Sequence, residues 1–396
     1  MFNTADRRFM KRALTLAENA LGLASPNPTV GCLIVREGKI VGRGWHEYDS
    51  KDHAEVRALN EAADRSLNAT AYVTLEPCCH EGRTPPCTHG LIGAGVRRVV
   101  VARIDPDPRV AGRGIEFLRS EGIRVDVGLM AEEAGKLIEP YACHRITGMP
   151  LVISKVGMSL DGKIGTGLQA GRQITSPESG EFAQDLRRCV DAILVGVGTV
   201  LFDDPDLTYR AQKSKSRPLL RVVLDSKLRT PPDARLLQSC PESPLIIFCS
   251  PKASKSRITR LEREGAEIIP ISGAAGGLDI IAVLKELGKR NVLGLLVEGG
   301  SRVHWSFLSR DLIDKFYFII APLILGGKDS FPSVGGEGYG ATADAPQFRI
   351  RKSFPVGADL VLETYPSWSR SIISPWLSQE TAASREPDSR LSSKRK

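Results

Sequence analysis

His53 and Glu55 stand two residues apart, and Cys78 and Cys87 follow after a helix-length gap. One imidazole and two thiolates can supply three ligands to a tetrahedral Zn²⁺ and leave its fourth position open to water. Zn²⁺ in such a setting makes water available as a nucleophile near neutral pH. Glu55 is near enough to His53 to move protons without being a ligand.

Two plainer readings compete with this one. Cys78, His80, Cys87 and His89 could close a four-ligand structural site, which would leave His53 and Glu55 as ordinary helix residues. The cysteines could also be buried, metal-free hydrophobes. The succession His53-Ala54-Glu55, then Pro77-Cys78, then Cys87 favours catalysis over both, because it is the H-x-E and P-C…C order of zinc nucleobase deaminases. The indicated chemistry is hydrolytic deamination.

The elements that must position these residues are legible from periodicity. Thr4 is the expected N-cap of a helix with Phe9, Ala13, Leu16, Ala17 and Ala20 on one face, and Ser25-Pro26-Asn27-Pro28 stops it. Strands are expected at 30–35 and 39–45, and a helix at 54–65 places His53 and Glu55 at its N-terminal end. A strand at 72–75 precedes the cysteine loop, and a helix starts at Cys87, so ligands sit at helix N-termini, where the dipole favours thiolate. A strand at 96–102, a helix at 114–120, a strand at 123–127 and one helix at 132–145 complete an alternating β/α domain. A second alternating pattern runs from Leu151 to about Tyr365. There, strands at 192–197, 219–224 and 293–297 run into Gly198-Thr199, Asp225-Ser226 and Glu298-Gly299-Gly300-Ser301, loops suited to phosphate. Spacing alone leaves open whether these glycines only turn the chain.

The chain has 396 residues, enough for two domains, with 42% hydrophobic and 25% charged residues, as in soluble globular proteins. The expected division is 1–148, 149–365 and a basic tail, 366–396, whose serine-rich composition predicts disorder. The net charge is +8, of which +3 falls in that tail, and no basic stripe marks a nucleic-acid groove. No apolar run is long enough to span a bilayer, and Met1-Phe2-Asn3-Thr4-Ala5-Asp6-Arg7-Arg8 leads into an amphipathic pattern, not an export signal. Eight cysteines without such a signal argue for thiols and metal ligation in a cytoplasmic protein.

From about residue 5 to 365 the chain closely resembles the bifunctional riboflavin-biosynthesis family that joins a diaminopyrimidine deaminase to a pyrimidine reductase. The first half carries the resemblance at Ser25–Gly31, at His53-Ala54-Glu55, and at Thr74-Leu75-Glu76-Pro77-Cys78-Cys79-His80. It continues at Gly82-Arg83-Thr84-Pro85-Pro86-Cys87 and Asp105-Pro106. The second half carries it at Ser159-Leu160-Asp161-Gly162, Asp191–Gly196, Thr199-Val200, Asp203–Thr208, Glu298-Gly299-Gly300 and Ala321-Pro322. The resemblance implies an α/β protein with an N-terminal cytidine-deaminase-like α/β/α domain and a C-terminal dihydrofolate-reductase-like domain. It implies a small-molecule substrate, a diaminopyrimidinone bearing a phosphoribosylamino group, with no nucleic-acid or membrane partner, and it is compatible with a homo-oligomer.

The same resemblance implies roles for individual residues. His53, Cys78 and Cys87 would hold Zn²⁺, and Glu55 would move the proton to the leaving amine. Asn27, His46, His80 and Arg83 would surround the pyrimidine and phosphate, while Cys79 would not be a ligand. NADPH would be contacted by Gly157, Gln173, Thr199, Asp203, Ser226, Gly300, Ser301 and Arg302. The reductase substrate would meet Gly171, Arg187, Leu207, Arg210 and Glu298. Three features depart from the family pattern: the segment Glu47-Tyr48-Asp49-Ser50-Lys51-Asp52 lacks an Ala-Gly pair, Gly171 lacks a hydroxyl, and Gln173 replaces a tryptophan near the cofactor. A working but altered reductase is the expectation. The alternatives are an active deaminase with a weak or lost reductase half, a nucleic-acid base deaminase, and a structural zinc protein.

Overall fold

In the first of two sheets, small residues set how closely helices approach strands. The structure, a computed structural model, describes residues 2–82, 84–166, 173–210, 217–240, 242–273 and 277–368. Helix α1 (Thr4–Glu18) is capped by Asn3, one residue before the expected cap Thr4. The Asn3 side chain accepts from the Asp6 N–H, and the Asp6 carboxylate accepts from the Asn3 N–H, a reciprocal capping box. Then come β1 (Gly31–Arg36), β2 (Lys39–Trp45), α2 (Ala54–Ala62), β3 (Thr70–Val73), α3 (Cys87–Gly93) and β4 (Arg98–Val101). The unit ends with α4 (Arg113–Ser120), β5 (Arg124–Val127), α5 (Ala131–Leu137) and α6 (Glu139–Thr147). The single helix expected at 132–145 is two, because Pro140, at the start of α6, has no N–H with which to continue α5.

Five strands form a sheet in the order β2-β1-β3-β4-β5. On one face, Phe9, Met10 and Leu14 of α1 pack with Leu33, Tyr72 and Val100. On the other, Ala54, Ala58 and Ala62 of α2 meet Cys32, Ile34 and Val73, joined by Leu91, Ile115 and Leu118. Helix α2 lies so close to β2 that a Cβ at Gly42 would stand 2.0 Å from the Ala58 carbonyl oxygen, and one at Gly44 2.0 Å from that of Ala54. This approach fixes the N-terminal end of α2, and with it His53 and Glu55.

The second sheet is built from β6 (Leu151–Ser159), β8 (Ala192–Gly196), β9 (Leu220–Leu224), β10 (Leu245–Cys249), β11 (Glu267–Pro270), β12 (Gly294–Gly299), β13 (Lys315–Ala321), β15 (Phe348–Val356) and β16 (Asp359–Pro366). Between them lie the two-stranded ribbon of β7 (Lys163–Gly165) and β14 (Phe331–Pro332), and the helices α7 (Pro177–Arg188), α8 (Val197–Asp203), α9 (Arg235–Gln238), α10 (Lys255–Arg263), α11 (Ile280–Lys289) and α12 (Ser301–Leu308). The order is β11-β10-β9-β8-β12-β6-β13-β16-β15. The strands from β11 to β13 run parallel, whereas β16 and β15 are antiparallel. Strands β8 and β10 are buried along their whole length and read as continuous apolar runs, as parallel strands covered on both faces do. Helices α11 and α12 cover one face, and α9 and α10 the other.

Of the tail expected from residue 366, Pro366 closes β16 and the Trp368 ring stacks edge-on against Phe348 at 5.4 Å. Residues 369–396 lie outside the described residues.

Candidate functional sites at the two ends of the chain

His53 is the N-cap of α2, Cys87 is the first residue of α3, and Cys78 lies in the loop after β3. Their ligand atoms lie within 4.8 Å of one another. His53 Nδ1 is 3.2 Å from Cys87 Sγ and 3.6 Å from Cys78 Sγ, and the Cys87 N–H donates to Cys78 Sγ at 3.3 Å. The loop is held by Glu76, whose buried carboxylate accepts four backbone N–H groups, from Asp105, Gly112, Gly114 and Ile115. Glu76 belongs to the matched motif, but nothing in its spacing announces this anchoring role.

The electrostatics suit a cation. Hydrogen bonding from Cys87, then from His53 and the Cys87 N–H, pulls the Cys78 thiol down to about 4 against the effect of burial. Burial pushes the Glu55 carboxyl, 4% exposed, up to about 7. The hydrogen bond to Cys78 and burial push the Cys87 thiol up in turn; a soft His/Cys/Cys donor set with a non-ligating carboxyl beside it fits Zn²⁺. Cys79 is not part of the cluster.

A cavity of about 120 Å³ adjoins the cluster. Asn27, His46, Glu55, His80, Asp105 and Tyr141 are among the residues that line it. The Asn27 amide meets His46 Nε2 at 3.0 Å, His46 Nδ1 meets the Asp52 carbonyl at 2.8 Å, and the His46 ring stands edge-on to His53 at 5.2 Å. Arg83 lies outside the described residues. Asp105 belongs to the matched Asp105-Pro106 pair without a chemical role of its own there, yet burial pushes its carboxyl up to about 7 and Tyr141 donates to it at 3.3 Å. Its Asp-Pro context reads as turn chemistry, which hides it.

The second site lies at the C-terminal ends of the parallel strands, where open α/β sheets bind ligands. A cavity of about 720 Å³ there is lined by Thr199, Asp203, Ser226, Gly300, Ser301 and Arg302, all expected cofactor contacts. Arg229 and Arg310 line it too, and α12 opens at its wall. Arginines around a helix N-terminus and a glycine at φ +81°, Gly300, suit a dinucleotide carrying phosphates. Gly157 and Gln173 do not line this cavity: Gly157 packs against Thr175, and the exposed Gln173 reaches the Ser176 carbonyl at 3.4 Å.

Beside the cavity, Glu298 receives Arg187 through Nε and Nη2 at 2.9 and 2.8 Å, and Lys155 Nζ stands 3.5 Å away. Burial pushes Glu298 up, but Lys155 and Arg187 outweigh it and hold the carboxyl down to about 2. Lys155 was missed by motif reading; its signal is a lysine within the apolar strand β6. Leu207 is buried in the core with a backbone φ of +58°, and Arg210 is exposed. Gly171 lies outside the described residues.

A family model described as the RibD C-terminal domain matches residues 150–362, and the cytidine and deoxycytidylate deaminase zinc-binding region matches residues 3–103. The riboflavin biosynthesis protein RibD of Aquifex aeolicus (strain VF5) is 41% identical over 362 residues, covering 91% of this chain and 99% of its own. RibD of Escherichia coli (strain K12) is 39% identical over 369 residues, covering 90% and 98%. Among solved structures, Acinetobacter baumannii RibD superposes with a TM-score of 0.81 at 32% identity, covering 92% of this chain and 99% of its own. A diaminohydroxyphosphoribosylaminopyrimidine deaminase/5-amino-6-(5-phosphoribosylamino)uracil reductase from Thermotoga maritima does so with 0.80 at 32% identity, covering 91% and 99%.

Proposed function

The chain belongs to the RibD family, bifunctional enzymes of riboflavin biosynthesis, and from that premise we propose how its two sites divide a deamination and a reduction. The substrate proposed is 2,5-diamino-6-(5-phosphoribosylamino)pyrimidin-4(3H)-one. The first site replaces its 2-amino group by oxygen and releases ammonia, and the second reduces the ribosyl chain to ribityl with NADPH.

The observation that carries this reading is the cluster of His53, Cys78 and Cys87 with buried Glu55 beside it. Zn²⁺ held by those three residues supplies Lewis-acid activation of water. Glu55, buried beside the cluster, would accept a proton and return it to the departing amine. Asn27 and His46 form the wall that orients the ring.

In the second site, NADPH supplies hydride. Thr199, Asp203, Ser226, Gly300, Ser301 and Arg302 hold it, and Glu298 stays ionised to fix Arg187 and Lys155. Lys155, held beside Glu298, would give a proton to the sugar oxygen as the ribose opens. The exposed Arg210 would meet the phosphate, for which a guanidinium fork is suited. Free cysteines that serve as ligands support a cytoplasmic setting. Among the described residues no helix is long and apolar enough to cross a membrane.

The test is to supply the diaminopyrimidine with NADPH to one sample of protein with measured zinc content. One ammonia released and one NADPH oxidised per substrate is the expected result. Ammonia release without NADPH oxidation would remove the reductase half of the reading.

A further inference from the structure

We propose that Arg188, on the reductase side of the molecule, is a positioning residue for the deaminase pocket. It follows Arg187 at the C-terminal end of α7, but it points away from the reductase site. Its Nη1 donates to the Leu21 carbonyl at 2.9 Å, across the boundary between the two halves. The adjoining contact is backbone against backbone. Gly22 has φ +77°, and a Cβ there would lie 1.9 Å from the Arg188 carbonyl oxygen.

The segment so clamped leads directly to the deaminase pocket. The Leu23 carbonyl accepts the Tyr48 N–H at 3.0 Å, and the Ala24 carbonyl accepts the Asn27 N–H at 2.9 Å. Asn27 holds His46 at 3.0 Å, and His46 stands against the ligand His53. Arg188 therefore acts through the turn at 20–24 on the two residues that form the pocket wall. A second joint grips the pocket from another side. Lys315 and Tyr365 reach Glu139 at 2.6 and 2.9 Å, on the helix that carries Tyr141 and Arg145 to the cavity. The reductase half thus supports both walls of the deaminase pocket, and residue sets that share no catalytic atom are mechanically joined.

The test is Arg188→Met in the full zinc-loaded chain, since methionine keeps an apolar stem while losing the donors. A displacement of about 1 Å at a reacting centre can cost up to ~10²-fold in rate. We expect about a tenfold loss in deamination kcat/KM, carried mainly by KM, with NADPH oxidation of the deaminated pyrimidine within about twofold of the parent. Arg188→Lys, which can still donate to Leu21, recovers most of the loss. Deamination unchanged in R188M overturns the proposal. So does an equal loss of both activities, or an R188K variant as slow as R188M.

Discussion

Glu55, buried, and Glu298, partly buried, stand one at each site, and their surroundings drive them in opposite directions. Among the described residues no guanidinium or ammonium is bonded to Glu55, so burial dominates and its carboxyl rises to about 7. Glu298 is less fully enclosed and meets Arg187 and Lys155, and its carboxyl falls to about 2. The first can change its charge near neutral pH and move a proton. The second is a fixed anion that orients cations. The residue type is shared, and the partner decides the role.

The sharpest way to break this contrast is at the metal cluster. Stripping metal, or Cys87→Ser, should abolish ammonia release while NADPH oxidation of the deaminated pyrimidine continues, followed by metal analysis and two separate assays. Deamination surviving in fully metal-free protein would remove the cluster from the chemistry.

Next in size is Glu298→Ala. It leaves Arg187 and Lys155 buried without their carboxylate, and breaking such a pair costs ~3–5 kcal/mol. Denaturant unfolding should show that loss, with NADPH oxidation falling far more than ammonia release under conditions where the chain stays folded. A variant as stable as the parent would mean that the cations find other partners.

The same two residues should give pH dependences of opposite sign. In metal-free protein, Glu55 sits at about 7 when folded against an ordinary 4.5, so the folded chain holds the extra proton between those values. Its contribution to stability therefore declines as pH rises from 4.5 to 7. Glu298, at about 2 when folded, contributes fully above 4.5, and that contribution is lost as pH falls toward 2. Unfolding measured across pH in Glu55→Gln and Glu298→Gln should isolate the two windows. Parallel slopes would show that burial, not partnership, governs both.

The smallest expected effect lies outside both sites. Trp368→Ala removes the edge-on contact with Phe348, worth ~0.5–1.5 kcal/mol. A drop of a few degrees in Tm with both activities retained is expected, and an activity loss at either site would tie β16 to the chemistry.

The sequence made the first site readable for a physical reason. Metal ligation demands particular side chains, so His53, Cys78 and Cys87 are marked by type and order, and Glu55 by its offset from His53. Thr199, Ser226 and Gly300 were readable as loop residues after strands, because phosphate sites reuse that geometry. Lys155, Asp105 and Glu76 were not, since their importance comes from what long-range packing brings against them. Gly42 and Gly44 are similar: only the approach of α2 shows why no side chain fits there. The helix break at Pro140 is a local signal that a single helix over 132–145 passes over.

In this bifunctional enzyme two separate chemistries act in sequence on one substrate. Glu55→Gln, supplied with NADPH and each pyrimidine in turn, tests it most directly. With the diaminopyrimidine, ammonia release should slow by ~10²–10⁴-fold and NADPH oxidation should slow with it. With the deaminated pyrimidine, NADPH oxidation should proceed at the parental rate. Rapid NADPH oxidation from the diaminopyrimidine in that variant would contradict the order of steps, and its absence with both substrates would contradict the separation of sites.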